Sequence, residues 1–217
     1  MPETQEYTVK LAIFGASGRT GRPLVEQALV RGHEVRALVR DPAKLPLTHD
    51  RLALVRGDAL SAGDVADTVA GCDAVLSTLG HTKGSPKDVQ TVATRHLVAA
   101  MRAAGVTRVL SLTGAGVRDP QDRPKLVDRA FGLLLAALAR DVIRDAEAHA
   151  RVLRESGLEY TLVRGPRLTD GPRTGVYRVG YVGPDSGTQV SRADIADFML
   201  RELEAGAWVG QAPVVSY

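Results

Sequence analysis

The segment LAIFGASGRTG, residues 11–21, constrains the fold more than any other part of the chain. A short apolar run ends in Gly15, Gly18 and Gly21, which are spaced three residues apart. Where a parallel strand turns sharply into a helix, free backbone amides and the helix dipole attract phosphate. Gly15 would permit the tight turn, Gly18 the approach of a pyrophosphate, and Gly21 close helix packing. The segment therefore predicts a dinucleotide-binding loop, with a purely structural glycine turn as the alternative.

The rest of the first half alternates between apolar, β-branched runs and amphipathic helical stretches. Helical periodicity predicts helices over Thr20–Arg31, Asp64–Ala70 and Asp88–Ala104. The predicted strands are, in chain order, VKLAIFG, EVRALV, LALVRG, DAVLSTLG and RVLSLTG. Repeated strand-then-helix units with right-handed crossovers indicate an α/β fold. We expect a Rossmann-type doubly wound parallel sheet with helices on both faces.

The second half is less regular, and we interpret it as a small C-terminal extension on the substrate side. Periodicity predicts helices over Leu126–Ala139 and Asp141–Glu155. A sixth strand, TLVRG, a short strand, GVYRVGYV, and an edge strand, PVVSY, are also predicted. In SRADIADFML, Ser191 would cap a helix while Asp194 reaches back as a capping-box acid. Because no linker is visible, residues 1–217 are predicted to form a single NAD(P)-binding domain, with the substrate side starting at about residue 114.

Composition narrows the possible partners. Lys plus Arg is 28 and Asp plus Glu is 25, and no basic block occurs, so we expect no nucleic-acid partner. Cys72 is the single cysteine, which excludes an internal disulfide and predicts a small buried hydrophobe. The most apolar segment, FGLLLAALA, is too short to cross a membrane, and the start lacks a signal-peptide core. These features predict a cytoplasmic protein. The segment FGLLLAALA would line a hydrophobic pocket or form a subunit contact, or it would be a buried helix.

The end of the second predicted strand indicates which dinucleotide is bound. NAD enzymes place an acid there for the ribose hydroxyls, whereas this chain has Arg40, with Lys44 a turn later. Together with Arg19 they would surround a 2′-phosphate, so NADP(H) is favoured over NAD(H). Asp41 is expected to start a turn instead. The alternative is that the cations are ordinary surface residues, and Asp58 would meet the adenine or be a solvated turn residue.

Several motifs together resemble one family along nearly the whole chain. They include LAIFGASGRTG, ALVRDPAKL, VLRESGLEYTLVRGP, LTDGPRTGVYRV and VSRADIADFML. The chain resembles an atypical short-chain dehydrogenase/reductase, similar to the biliverdin reductase B/flavin reductase group and to NmrA-like proteins. The resemblance implies a monomer or weak homodimer that binds NADP(H) across the carboxyl ends of the strands. The predicted cofactor-binding residues are Gly15, Ser17, Gly18, Arg19, Thr20, Gly21, Arg40, Lys44, Asp58, Ala59, Leu79, Gly80, Thr113, Gly165 and Pro166.

The chain departs from this family where catalysis is concerned. The Tyr-x-x-x-Lys pair of typical short-chain dehydrogenases is missing, since the corresponding helix reads ARDVIRDAEAHARVL. The serine of the flavin reductase relatives falls at Gly114, and their histidine falls at Arg167. We therefore expect hydride transfer to a flavin, quinone or similar planar acceptor, which needs few catalytic side chains. The alternatives are a non-catalytic regulatory protein that senses NADP(H) and, ranked lower, a sugar-nucleotide-type epimerase or dehydratase.

The catalytic candidates are Thr113, Arg167 and His81. Arg167 would hold an anionic substrate or stabilise negative charge, or else pair with Asp170 as a loop residue. His81 follows the fourth strand, where open parallel sheets bind their ligands. His149 lies on the helix that usually faces the nicotinamide, but its direction is left open. The other histidines are His33 in a turn, His49 in a polar loop and His96 among apolar residues, and their scatter predicts no metal site.

Overall fold

The computed structural model describes residues 8–124, 139–183 and 186–217. The strands are β1 Lys10–Phe14, β2 Glu34–Val39, β3 Leu52–Arg56, β4 Ala74–Ser77, β5 Arg108–Gly114, β6 Glu159–Gly165, β7 Arg167–Thr169, β8 Arg178–Gly180, β9 Gln189–Ser191 and β10 Val214–Ser216. The helices are α1 Gly21–Val30, α2 Ala62–Val69, α3 Val89–Ala104, α4 Arg140–Arg154 and α5 Arg192–Ala205, with a 3₁₀ helix at Pro42–Lys44.

Eight strands form one sheet in the order β3-β2-β1-β4-β5-β6-β10-β8. Neighbouring strands run parallel from β3 to β10, and β8 alone is antiparallel to its neighbour. β7 and β9 form a separate two-stranded parallel sheet. The order reverses between β1 and β4, so the cleft beyond their carboxyl ends is the ligand site expected of such sheets. The predicted doubly wound α/β fold is confirmed.

The helices cover the two faces of the sheet because β1 is apolar on both sides. Leu11 and Ile13 point into one buried cluster, to which α1 and α5 contribute. Ala12 and Phe14 point into the other cluster, which takes its helical residues from α2, α3 and α4. The alternation follows from the two-residue period of a strand. A strand that is buried on both faces reads as a continuous apolar run, which is why LAIF was recognisable.

Some predicted elements differ from the structure. PVVSY was predicted as an edge strand, but β10 lies between β6 and β8, so the edge is β8. Ser191 does cap α5 by accepting from the Asp194 amide at 3.0 Å, yet Asp194 does not close a capping box. Its carboxylate accepts from Thr174 and Gly175, and the Ser191 amide donates to the Tyr217 hydroxyl. Hydrogen bonds to residues distant in the sequence have replaced the local bond between the Asp194 carboxylate and the Ser191 amide.

Two further predictions concern the C-terminal half. β8 is shorter than GVYRVGYV, and β7 and β9 were not predicted, because three-residue strands carry little periodic signal. The predicted helix over Leu126–Ala139 falls, apart from Ala139, outside the described residues, and so does nearly all of FGLLLAALA. The single-domain organisation stays a prediction.

Candidate functional site

The glycine-rich loop between β1 and α1 is shaped so that side chains would block it. Gly15 has a φ of +75°, and a Cβ there would lie 2.9 Å from the Thr78 backbone. A Cβ on Gly21 would lie 2.0 Å from the Gly15 carbonyl oxygen. Gly18 is exposed, and a Cβ there would meet, within 4 Å among the described residues, only that same oxygen at 3.0 Å. Gly15 and Gly21 thus make the turn. Gly18, whose own amide donates to the Gly15 carbonyl at 2.9 Å, places no side chain over the exposed surface of the loop.

The loop leads directly into α1, so the helix dipole points at the open backbone. Helical hydrogen bonding begins where the Arg22 amide donates to the Gly18 carbonyl at 3.0 Å. Thr20 is buried in the turn, and Ser17 and Arg19 lie at the surface of the cleft. Thr78 fastens the loop to the end of β4, since its amide donates to the Phe14 carbonyl at 2.9 Å. The amides of a helix start have no intrahelical partner and suit a phosphate.

The carboxyl end of β2 presents exposed cations beside this loop. Arg40 directly follows the strand, and the side chain of Asp41 caps the 3₁₀ helix by accepting from the Ala43 amide at 3.1 Å. The turn predicted for Asp41 is therefore confirmed. Arg22, which the sequence did not single out, donates to the Lys44 carbonyl at 2.9 Å and joins α1 to this segment.

The third strand ends next to the same edge of the sheet. Asp58 accepts from the Leu60 amide at 3.0 Å, and its own amide donates to the Asp64 carboxylate at 2.8 Å. The Asp58 side chain thus takes part in a turn, while Ala59 is buried behind it. The Ala59 carbonyl lies 3.2 Å from His96 Nδ1, so His96 packs against this turn.

The ends of β4, β5 and β6 form the other half of the edge. Thr113 is 5% exposed, and its hydroxyl has no hydrogen-bond partner among the described residues. A buried hydroxyl without a partner is unfavourable, so a ligand atom at this position would satisfy it. Gly114 pairs with Gly165 in register, and Pro166 follows directly. The Leu79 carbonyl accepts from Gln90 at 2.9 Å, which holds the loop ahead of the exposed Gly80.

His81 is held in place by a buried carboxylate on α4. Its Nε2 lies 2.9 Å from Asp145 Oδ2, and its side chain is 19% exposed. Asp145 is 4% exposed and also accepts from the Gln90 and Thr91 amides at 2.9 and 3.0 Å, which caps α3. Because these bonds fix the ring, Nδ1 is the nitrogen left for a ligand. Asp145 was missed, and its spacing of 64 residues from His81 gives no sequence signal.

His149 is directed into the core and not toward the cleft. It is 2% exposed, with Nδ1 at 2.7 Å from Thr94 Oγ1 and Nε2 at 3.3 Å from Ser111 Oγ. The Thr94 hydroxyl donates to the Gln90 carbonyl, so it can only accept from Nδ1. Burial lowers the pKa of His149 from its ordinary 6.5 to about 4, against the opposing charge of Asp145. His149 is therefore neutral near pH 7 and structural.

A cleft of about 460 Å³ opens at the glycine loop toward the C-terminal part of the chain. It is lined by Ser17, Gly18, Arg19, Arg22, Glu26, Asp170 and Arg192, among others. Asp170 Oδ1 lies 2.6 Å from Arg192 Nη1, and Asp170 Oδ2 lies 3.7 Å from Arg19 Nη1. The pairing of Arg167 with Asp170 that the sequence allowed is not found. Arg167 is exposed on β7, where its amide donates to the Thr188 carbonyl.

The remaining side chains of interest have structural surroundings. Cys72 is buried as predicted, and burial raises the pKa of its thiol. His33 is buried and burial lowers its pKa, while His49 accepts from the Arg51 amide in an exposed loop. Across the described residues, no three metal-ligating side chains converge. In the same part of the chain, no helix has the length and apolarity to cross a membrane.

Comparison with known proteins places these features in a family. A family model described as NAD(P)H-binding matches residues 15–205. An uncharacterised chloroplast protein of Arabidopsis thaliana is 34% identical over 187 residues, which cover 80% of this chain and 64% of that protein. A 3-beta-hydroxysteroid dehydrogenase of Mycolicibacterium neoaurum is 35% identical over 126 residues, covering 52% of this chain and 34% of its own. The chain thus spans less than two thirds of the length of either relative.

Solved structures agree on the fold. An anaerobilin reductase from Escherichia coli O157:H7 superposes with a TM-score of 0.75 at 23% identity, over 95% of this chain and 96% of that one. The match of the family model includes the glycine loop, both halves of the sheet edge and α5. The resemblance to NAD(P)H-binding proteins seen in the sequence is confirmed, and the chain belongs to the NAD(P)H-binding family.

Proposed function

We propose that this protein is an NADP(H)-dependent reductase that passes hydride to a flavin, a quinone or a similar planar acceptor. The observation that carries the proposal is the open glycine loop at the switch point of the sheet, with the unpartnered hydroxyl of Thr113 at the same edge. A bound nicotinamide would supply the hydride. The protein itself has to bind, orient and shield the reactants, and few polar side chains are needed for that.

The predicted cofactor-binding residues divide between the two halves of the cofactor. Ser17, Gly18, Arg19, Thr20 and Gly21 would hold the phosphates at the start of α1. Asp58 and Ala59 would border the adenine, and Leu79, Gly80, Gly165 and Pro166 would border the nicotinamide. The buried hydroxyl of Thr113 would gain its missing hydrogen bond from the cofactor or from the acceptor.

Arg40 and Lys44 support NADP(H) over NAD(H). Both are exposed at the end of β2, and Asp41, the one acid there, is engaged in a cap. An arginine–phosphate contact is a strong, charge-assisted bond. Arg40→Ser should weaken NADP⁺ binding about tenfold or more and leave NAD⁺ within about twofold, measured by calorimetry. Arg95→Ser, an exposed arginine on α3, is the control, and equal losses for both dinucleotides would refute the assignment.

His81 and Arg167 are proposed to face the acceptor. Asp145 accepts the hydrogen bond of His81 Nε2, so Nδ1 accepts a hydrogen bond when the ring is neutral and donates a proton to an acceptor that receives hydride only when the ring is doubly protonated. Arg167 is exposed at the start of β7, just beyond the predicted nicotinamide contact Pro166, where it would hold an anionic group. The similar fold of an anaerobilin reductase is consistent with a large planar acceptor.

The test is to mix the purified protein with NADPH and a panel of flavins and quinones, and to follow loss of NADPH absorbance. Wild type should oxidise NADPH with at least one acceptor, and His81→Asn should lower kcat without loosening NADP⁺ binding. His49→Asn, an exposed loop histidine, is the matched control. No oxidation above background with any acceptor would refute the proposal.

One observation favours a second function. α4 carries neither the tyrosine nor the lysine that typical short-chain dehydrogenases use. A non-catalytic NADP(H)-sensing regulator would bind the cofactor tightly, turn nothing over and capture a protein partner in one redox state only. In either case we propose a cytoplasmic protein that is a monomer or a weak homodimer. Sedimentation of the purified protein would check the oligomeric state.

A further inference from the structure

Arg192 occupies a position that is electrostatically unfavourable without an anion. It is the first residue of α5, where the positive end of the helix dipole disfavours a cation. Its side chain is 11% exposed, so water screens its charge only weakly. Residues that violate a local preference of this kind, such as a cation at a helix N-terminus, are found preferentially at functional sites. The anion that Arg192 meets in this structure is Asp170, at 2.6 Å.

Asp170 in turn connects α5 to the glycine loop. Its second carboxylate oxygen lies 3.7 Å from Arg19 Nη1. Asp170 is 68% exposed and Arg19 is 74% exposed, so this carboxylate sits at the surface between the two guanidinium groups. A solvent-exposed ion pair contributes little to stability, so it can be exchanged for a stronger anion at small cost.

The surrounding cleft is suited to such an anion. Three arginines line it, Arg19, Arg22 and Arg192, against the acids Glu26 and Asp170. Gly18 also lines the cleft, at a point where no side chain covers the loop. If Asp170 moved aside, a group with two negative charges beside Gly18 would face three arginines and one acid, Glu26.

The position of the cleft along the sheet edge indicates which anionic group of a dinucleotide would bind there. Arg40 and Lys44, the proposed 2′-phosphate contacts, follow β2 on one side of β1. Asp170 follows β7 and Arg192 follows β9, after the chain has passed β4, β5 and β6 on the opposite side. A dinucleotide that crosses the sheet edge places its pyrophosphate over β1, between these two sides. Because Arg192 shares a cleft with Gly18 and Arg19 of the loop after β1, it lies where the pyrophosphate would lie.

We infer that Arg192 is a pyrophosphate-binding residue and that Asp170 is its displaceable counter-ion. In the free protein the Asp170 carboxylate bridges Arg19 and Arg192. When a dinucleotide binds, its pyrophosphate takes the place of this carboxylate between the two guanidinium groups. Asp170 thus competes with the cofactor and weakens its binding. The inference rests on dinucleotide binding in this cleft, as the proposed function does.

The experiment measures NADP⁺ and NAD⁺ affinity by calorimetry at low and high ionic strength. Asp170→Asn should tighten both dinucleotides about two- to fivefold at low salt, since it removes the competing charge of a surface pair. The gain should disappear at high salt because these charges are screened. Asp50→Asn, an exposed aspartate before β3, makes the same charge change away from the cleft and should have no effect.

Arg192→Gln should weaken both dinucleotides about tenfold or more, as expected for loss of a charge-assisted phosphate bond. Arg151→Gln, an exposed arginine on α4, is its control, and circular dichroism checks that each variant folds. Unchanged or weaker binding by Asp170→Asn overturns the inference, and so does a gain confined to NADP⁺, which would point to the 2′-phosphate. If the wild-type protein binds neither dinucleotide, both the proposed function and this inference fail. If the wild-type protein binds them and Asp170→Asn leaves the affinity unchanged, only this inference fails.

Discussion

The buried histidine of α4 makes the stability of this protein depend on pH in a predictable direction. His149 is 2% exposed, and its two ring nitrogens face the hydroxyls of Thr94 and Ser111. Burial lowers its pKa from 6.5 to about 4. A depressed pKa means that the folded state binds fewer protons than the unfolded state between these values. The folded protein should therefore lose stability as the pH falls below about 6.5.

The magnitude follows from the two pKa values. A difference between 6.5 and about 4 corresponds to about 3 kcal/mol once the pH is below both, at about 1.4 kcal/mol per pH unit. Between pH 7 and pH 5 the expected loss from His149 is about 2 kcal/mol. His33 acts in the same direction because burial lowers its pKa too. Asp122 and Asp194, whose pKa values are lowered, matter only at more acidic pH.

Urea unfolding of wild type and His149→Gln at pH 7 and pH 5 isolates this contribution. The variant should be less stable at pH 7, because it loses buried packing, but its free energy of unfolding should fall by about 2 kcal/mol less than that of wild type. The contribution of His33 is common to both proteins and cancels. Parallel losses in the two proteins would refute the reasoning, as would an NMR titration that placed the His149 pKa near 6.5.

Two further substitutions test the loop and the core. Gly21→Ala should abolish dinucleotide binding by calorimetry and destabilise the fold by about 2 kcal/mol or more, because its Cβ would lie 2.0 Å from the Gly15 oxygen. Gly63→Ala in α2 is the control and should be neutral, since its Cβ would meet no atom of the described residues closer than 4.0 Å. Asp122→Asn should cost about 3 to 5 kcal/mol in urea unfolding, because it leaves the fully buried Arg164 without its carboxylate partner; a loss below 1 kcal/mol would contradict this.

Local sequence determined the elements that carry a strong periodic signal. The apolar run LAIF, the glycine spacing and the helical patterns of α1, α3 and α4 were enough to predict a parallel sheet with a phosphate-binding turn. This works because the steric limits of a sharp strand-to-helix turn act over a few residues. The cap by Ser191 was predicted for the same reason, since its partner is three residues away.

Contacts between distant parts of the chain were decided only by the tertiary structure. Asp145 meets His81 across 64 residues, and Arg19 meets Asp170, which is also far from it in the sequence. Asp194 does not form the capping-box hydrogen bond, because the fold brings the Thr174 and Gly175 amides beside its carboxylate. The sequence determined the order and type of the elements, because those depend on neighbours along the chain. Only the packed structure decided which charges meet in the cleft, because electrostatic partners are selected by proximity in space and by burial.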